Sequence, residues 1–140
     1  MTDVRINISS GGPWEAVVGY SRAVHIGQHV FVAGTTAVTP EGIVGLGDPY
    51  LQAMQALRTI QAALAQAGAS LDHVVRTRMF VTDISQWQAV GRAHGEFFGA
   101  IRPVATMVQV SQLIDPALLV EIEAEAVIPV PASETDQHQA

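Results

Sequence analysis

The sequence predicts an α+β fold: a mixed β-sheet with two helices packed on one face. Three observations carry this. Two stretches repeat apolar residues at helical spacing, and the stretches around them alternate at strand spacing. Their order along the chain is strands, helix, strand, helix, strands, which suits helices segregated to one side of a sheet.

The opening holds Ser9, Ser10, Gly11, Gly12 and Pro13, a turn-rich segment. Residues 20–26 and 29–33 read as two strands joined by Gly27 and Gln28, a spacer suited to a type II′ hairpin. A loop through Thr39, Pro40, Glu41 and Gly42 leads to Ile43 and Val44. Asp48 and Pro49 read as N-cap and first residue of a long helix, and Gly68 as its stop. Leu51, Met54, Leu57, Ile60 and Leu64 form its apolar stripe.

Residues 74–81 alternate as a strand, with Val74, Arg76, Arg78 and Phe80 on one face and Val75, Thr77, Met79 and Val81 on the other. Asp83 with Gln86 resembles a capping box opening a second helix. Trp87, Val90, His94 and Phe97 give that helix its stripe, and Gly99 closes it. Residues 107–110 and 120–130 read as final strands. In the last, Val120, Ile122, Ala124 and Ala126 alternate with Glu121, Glu123 and Glu125, so the acidic face is solvated or paired with Arg76 and Arg78. Residues 1–131 make one domain, and 132–140 a polar, disordered tail.

Composition excludes several functions. There is no cysteine, which removes disulfides and thiolate chemistry, and no lysine, which removes Schiff-base and P-loop chemistry. A net charge of −6 without a basic cluster argues against nucleic-acid binding, ribonuclease action included. No apolar run reaches the roughly 18 residues a membrane span needs, and Met1 to Arg5 lack a secretory start, so the expected location is cytoplasmic. Only 14% of residues are charged, so subunit contacts or a large apolar groove must hide part of the surface.

Chemical motifs are sparse. His25, His29, His73, His94 and His138 form no metal-binding pair, so no metal is expected. Ser70, Ser85 and Ser111 lack a nucleophile-elbow context, and Gly42, Gly45 and Gly47 make a loop without phosphate-site spacing. Three glutamates on one strand face repel one another unless cations or hydrogen bonds intervene. Either they are a solvated, ion-paired face, or Glu121, near the strand start, handles water or a proton in a cleft between subunits.

The stretch Arg102, Pro103, Val104, Ala105, Thr106, Met107, Val108, Gln109, Val110, then Leu113 and 120–124, resembles the RidA/YjgF family of reactive intermediate deaminases. Gly19, Tyr20 and Ser21, residues 30–34, residues 81–83, and Phe97 with Phe98 fall in matching order. The resemblance spans residues 19–127. It implies a chorismate-mutase-like subunit assembled as a homotrimer, with a small-molecule ligand in each inter-subunit cleft. It further implies hydrolysis of imines and enamines without metal or cofactor.

Carried over by position, Glu121 matches the family's water-placing glutamate and Tyr20 its cleft tyrosine. Ala33 stands where many members have serine, and Thr106 and Met107 occupy the small-hydroxyl position and the one after it. Ala105 stands where the carboxylate-binding arginine belongs, and a methyl group cannot form a bidentate fork. Arg22, two residues beyond Tyr20, is a candidate replacement and Arg78 a second, each with an ordinary interface role as its alternative. Trp14 walls the cleft or simply packs. Two readings follow: an imine or enamine hydrolase of altered specificity, weak or inactive on 2-imino acids, or a ligand-binding trimer without catalysis.

Overall fold

Alternation and turn chemistry build the first half of a six-stranded sheet. In the computed structural model, which describes residues 4–131, strand β1 (Ile6–Ile8) pairs with β2 (Ala23–Ile26), and β2 with β3 (His29–Thr35). Gly27 turns the β2–β3 hairpin at φ +58°, a left-handed conformation that a side chain disfavours. Residues 20–22, expected inside the strand, precede it. A five-residue π-helical turn, Glu15–Gly19, ends on Tyr20, whose N–H is bound to the Glu15 carbonyl. A small hairpin, β4 (Val38–Thr39) with β5 (Gly42–Ile43), lies apart from the main sheet.

Helix α1 (Pro49–Gln66) starts where Asp48 accepts a hydrogen bond from the Leu51 N–H, as expected of an N-cap. Its core face is Leu57, Ile60 and Leu64 with Gln52, Ala53, Ala56 and Ala63; Leu51 is exposed. Each large aliphatic side chain buried there contributes about 1.5–3 kcal/mol. Gln52 is fully buried and satisfied: its Nε2 donates to the Gly45 and Ala117 carbonyls, and its Oε1 accepts from the Leu119 N–H.

Strand β6 (Val74–Val81) crosses through α2 (Trp87–Phe98) to β7 (Val104–Gln109), and such a crossover sets two strands parallel. Asp83 caps a short 3₁₀ turn, Ile84–Gln86, before α2, and not α2 itself. Of the expected stripe, Val90 is buried, Phe97 packs against the core and His94 bonds Thr77 of the sheet, joined by Ala93 and Phe98; Trp87 lies 54% exposed. Strand β8 (Val120–Val127) closes the sheet between β3 and β6, antiparallel to both, and the order is β1-β2-β3-β8-β6-β7.

Both helices cover one sheet face, as expected. Val120, Ile122, Ala124 and Ala126 are buried there with Val30, Val32, Met79 and Val81. One extra residue in β6 between Val74 and Arg76 puts Val74 on the core face beside Thr77, reversing the side expected for it. The opposite face is open, and its residues fall in rows across the strands. Phe31, Glu125, Arg76 and Val104 form one row; Glu123, Arg78 and Thr106 the next; Glu121, Phe80 and Val108 the third. No helix of the described residues is long and apolar enough to cross a membrane. The tail expected over 132–140 lies outside the described residues.

Candidate functional site

Glu121 opens β8 on the uncovered face, and a second bulge shapes its surroundings. Between Val32 and Thr35, β3 carries one residue more than the facing part of β8, so both of those residues reach the core. The displaced backbone at Gly34 passes directly beside the Glu121 carboxyl. A methyl group on Gly34 would overlap Glu121 Oε2. Only glycine admits the carboxyl this close to the backbone.

The Glu121 carboxyl is half-buried, and desolvation pushes its proton affinity above the ordinary carboxylate range. The positive charge of Arg22 pulls it back, and the negative charge of Glu123 adds to the rise. Arg22 leads into β2, with its Nη2 donating to the Gly34 carbonyl at 2.7 Å. Glu123 and Glu125 are tied down differently. Arg78 Nη1 donates to both at 3.1 Å, so ion pairing across β6 and β8 answers the repulsion that the strand pattern implies.

Over β1, β2 and β3 the open face is hollowed into a cavity of about 550 Å³, and Glu121 is not among its lining residues. Asn7, Val24 and Phe31 come from adjacent strands in one row, and Glu15, Tyr20 and Ala33 also line it. Glu15 accepts from both the N–H and the hydroxyl of Ser10, which hold its carboxyl below the usual range. It therefore stays an anion that fixes the Glu15–Gly19 turn carrying Tyr20.

The sequence-predicted residues divide into three groups. Tyr20 and Ala33 line the cavity together. Arg22 and Glu121 meet around Gly34, and Arg22 is not part of the cavity wall. Ala105, Thr106 and Met107 lie on the edge strand β7, away from both. Ala105 pairs in register with Thr77, whose hydroxyl bonds His94 on the helix side, so Ala105 and Glu121 project from opposite faces. Thr106 is exposed beside Arg78, and Met107 packs against the core. Trp14 stands outside the cavity, 65% exposed. Arg102 is engaged at the end of α2, its Nε on the Gly99 carbonyl.

Sequence reasoning missed Gly34, Asn7 and Glu15 as parts of this site. For Gly34 a signal existed, since it ends the matched run 30–34 and is adjacent to Ala33. Asn7 and Glu15 gave none, because nothing in the opening segment marks a third strand or a π-helical turn. Among the described residues, no three His, Asp or Glu side chains gather as a metal site.

The family described as endoribonuclease L-PSP matches residues 13–128. The chain belongs to this RidA/YjgF family. A YjgF/YER057c/UK114-family protein of Mycobacterium tuberculosis, Rv2704, superposes with a TM-score of 0.83 at 54% identity, covering 89% of this chain and 100% of that one. An uncharacterized protein of Streptomyces coelicolor is 44% identical over 119 residues, 85% of this chain and 89% of its own. The structure of Escherichia coli TdcF with bound serine matches at 28% identity and TM-score 0.74, over 88% of this chain and 94% of that one. The RidA/YjgF subunit fold, two helices on one face of a mixed sheet, is therefore the fold of this chain.

Proposed function

We propose that the chain forms a homotrimer whose inter-subunit clefts take a small metabolite, and that it hydrolyses an imine or enamine there with Glu121 as its base. The half-buried Glu121 carboxyl carries this reading. Its raised proton affinity makes it a stronger base than a solvated carboxylate, and efficient general bases titrate nearer the working pH. The ionised carboxylate takes one proton from water as the oxygen bonds to the imine carbon and the C=N π pair moves to nitrogen. Glu121 returns that proton to the nitrogen, giving a carbinolamine. The nitrogen then takes the proton of the new hydroxyl, the C–N bond breaks as the oxygen lone pair forms the carbonyl, and ammonia leaves.

The cleft supports the same reading. Tyr20 and Ala33 wall a cavity on the open face, and Thr106 is exposed on an edge strand free to face a neighbouring subunit. Serine bound to TdcF is a ligand of the proposed size in a related protein. Specificity follows from Ala105. A methyl group there supplies no charged hydrogen bond to a substrate carboxylate, a loss of about 2–5 kcal/mol where such a pair is buried.

Ammonia release from freshly generated 2-aminoacrylate, beside an imine lacking a carboxylate, tests this. Wild type is expected to favour the uncharged imine, and Ala105→Arg to raise turnover of 2-aminoacrylate at least about tenfold. Glu121→Gln is expected to abolish both activities without changing the assembly. Unchanged turnover in Glu121→Gln removes the proposed base. Full wild-type activity on 2-aminoacrylate shows that another group grips the carboxylate.

A further inference from the structure

Arg22 was one candidate to replace the missing guanidinium, yet its position suits different work. Its backbone is held on two sides: its N–H donates to the Ile8 carbonyl at 2.8 Å, and its carbonyl accepts from the Ala33 N–H at 3.0 Å. Its side chain turns along the sheet to the Gly34 carbonyl at 2.7 Å. The Nε is shut off from solvent and has no acceptor among the described residues. With Nε closed off and Nη2 engaged by the Gly34 carbonyl, the guanidinium is tied to the backbone, and like Glu121 it does not join the wall of the cavity over β1, β2 and β3.

We propose that Arg22 is a positioning residue, holding the Gly34 carbonyl in place and setting its positive charge behind the Glu121 carboxylate, and that it does not grip substrate. This rests on the reading of Glu121 as the base. Two geometric facts carry it. The bulge brings the Gly34 backbone so near Glu121 that only glycine fits, so whatever fixes Gly34 also fixes the carboxyl. Arg22 is also the cation acting on that carboxyl. In register beside Glu121 lies Phe80 of β6, and Gly34 of β3 passes next to it; neither carries charge. Glu123 on its own strand is anionic and already bound to Arg78. The positive charge of Arg22 favours the ionised carboxylate against the burial that disfavours it.

The test reads Glu121 directly. The protein is labelled with ¹³C at glutamate side chains, and the Glu121 carboxyl resonance, assigned by its loss in Glu121→Gln, is followed against pH. Arg22→Gln is expected to move the titration midpoint upward by about one pH unit. Arg22→Lys, which keeps the charge, should leave it near wild type. In steady-state assays Arg22→Gln is expected to lower kcat about tenfold at neutral pH with KM unchanged, because release of the Gly34 carbonyl misplaces the carboxyl and outweighs its gain in basicity. Arg22→Lys should show a smaller fall, also with KM unchanged.

An unmoved midpoint in folded Arg22→Gln, or a raised KM with an unmoved midpoint in either variant, overturns the proposal. If Arg22→Gln does not fold, Arg22→Lys decides between KM and kcat on its own. The titration needs no turnover. A moved midpoint in a protein that hydrolyses nothing leaves the Arg22 assignment standing and removes only the catalytic reading of Glu121.

Discussion

At Glu121, the features that suit a base also weaken the fold at neutral pH. Burial favours the neutral carboxyl, so the native state holds its proton more tightly than the unfolded chain, whose ordinary value is 4.5. Stability from this group is fully present below that value and is lost as pH rises through the higher native one. Glu121→Gln mimics the neutral form. It should melt higher than wild type at pH 8 and show little difference at pH 4, as calorimetry at both values would show. Equal melting at pH 8 would mean that Glu121 is not strained by its surroundings. Arg22 lessens the penalty, so stability should fall further with rising pH in Arg22→Gln than in wild type, read by the same melts. The residue types themselves were legible in the chain: the Glu121 alternation, Tyr20 and the alanine at 105 are plain in one dimension. What Arg22 touches was not, because a hydrogen bond to the Gly34 carbonyl depends on a bulge that period-2 reasoning does not contain.

Among the elements, periodicity located both helices and five of the six main strands, and failed where the chain departs from a regular period. Strand β1 was missed because three residues are too few to show alternation, and its burial comes mainly at Ile8. The stripe of α2 held at Val90, His94 and Phe97, and only its start was misjudged: a 3₁₀ turn intervenes between Asp83 and the helix, and Trp87 stays exposed. In α1 the stripe of leucines concealed Gln52, a polar side chain that hydropathy places outside the core. Gln52 joins α1 to the segment entering β8, whose second residue is Glu121, so an error there propagates to the candidate site. Gln52→Leu keeps the volume and leaves the Gly45 and Ala117 carbonyls and the Leu119 N–H without their partner. Orphaned buried polar groups of this kind cost about 1–3 kcal/mol each, and partial relaxation should leave a net loss of about 2–4 kcal/mol in urea unfolding. A loss below about 0.5 kcal/mol would show that the loop finds other donors and acceptors.

Across the whole molecule, the uncovered sheet face presents a surface that a monomer has little reason to keep. Phe31, Val104 and Val108 are 45%, 58% and 42% exposed, set among the paired charges of Arg78, Glu123 and Glu125. Strand β7 is open on its outer edge, and an unpaired edge invites association unless something covers it. Ala105 and Glu121 point to opposite faces of one chain, so any cleft using both positions needs a second copy to bring them together. The proposed trimer would account for the sparse charge, the bare face and the divided site. Light scattering should give three chain masses for wild type. Val104→Asp and Val108→Asp place a carboxylate where apolar surface would be buried, and desolvating it is unfavourable. Each is expected to raise the concentration at which the trimer dissociates by at least about tenfold, equivalent to about 1.4 kcal/mol. A wild-type monomer at micromolar concentration would remove the cleft altogether. An intact trimer in both variants would move the interface off this face, and with it the shared site that joins residue 105 to the glutamate at 121.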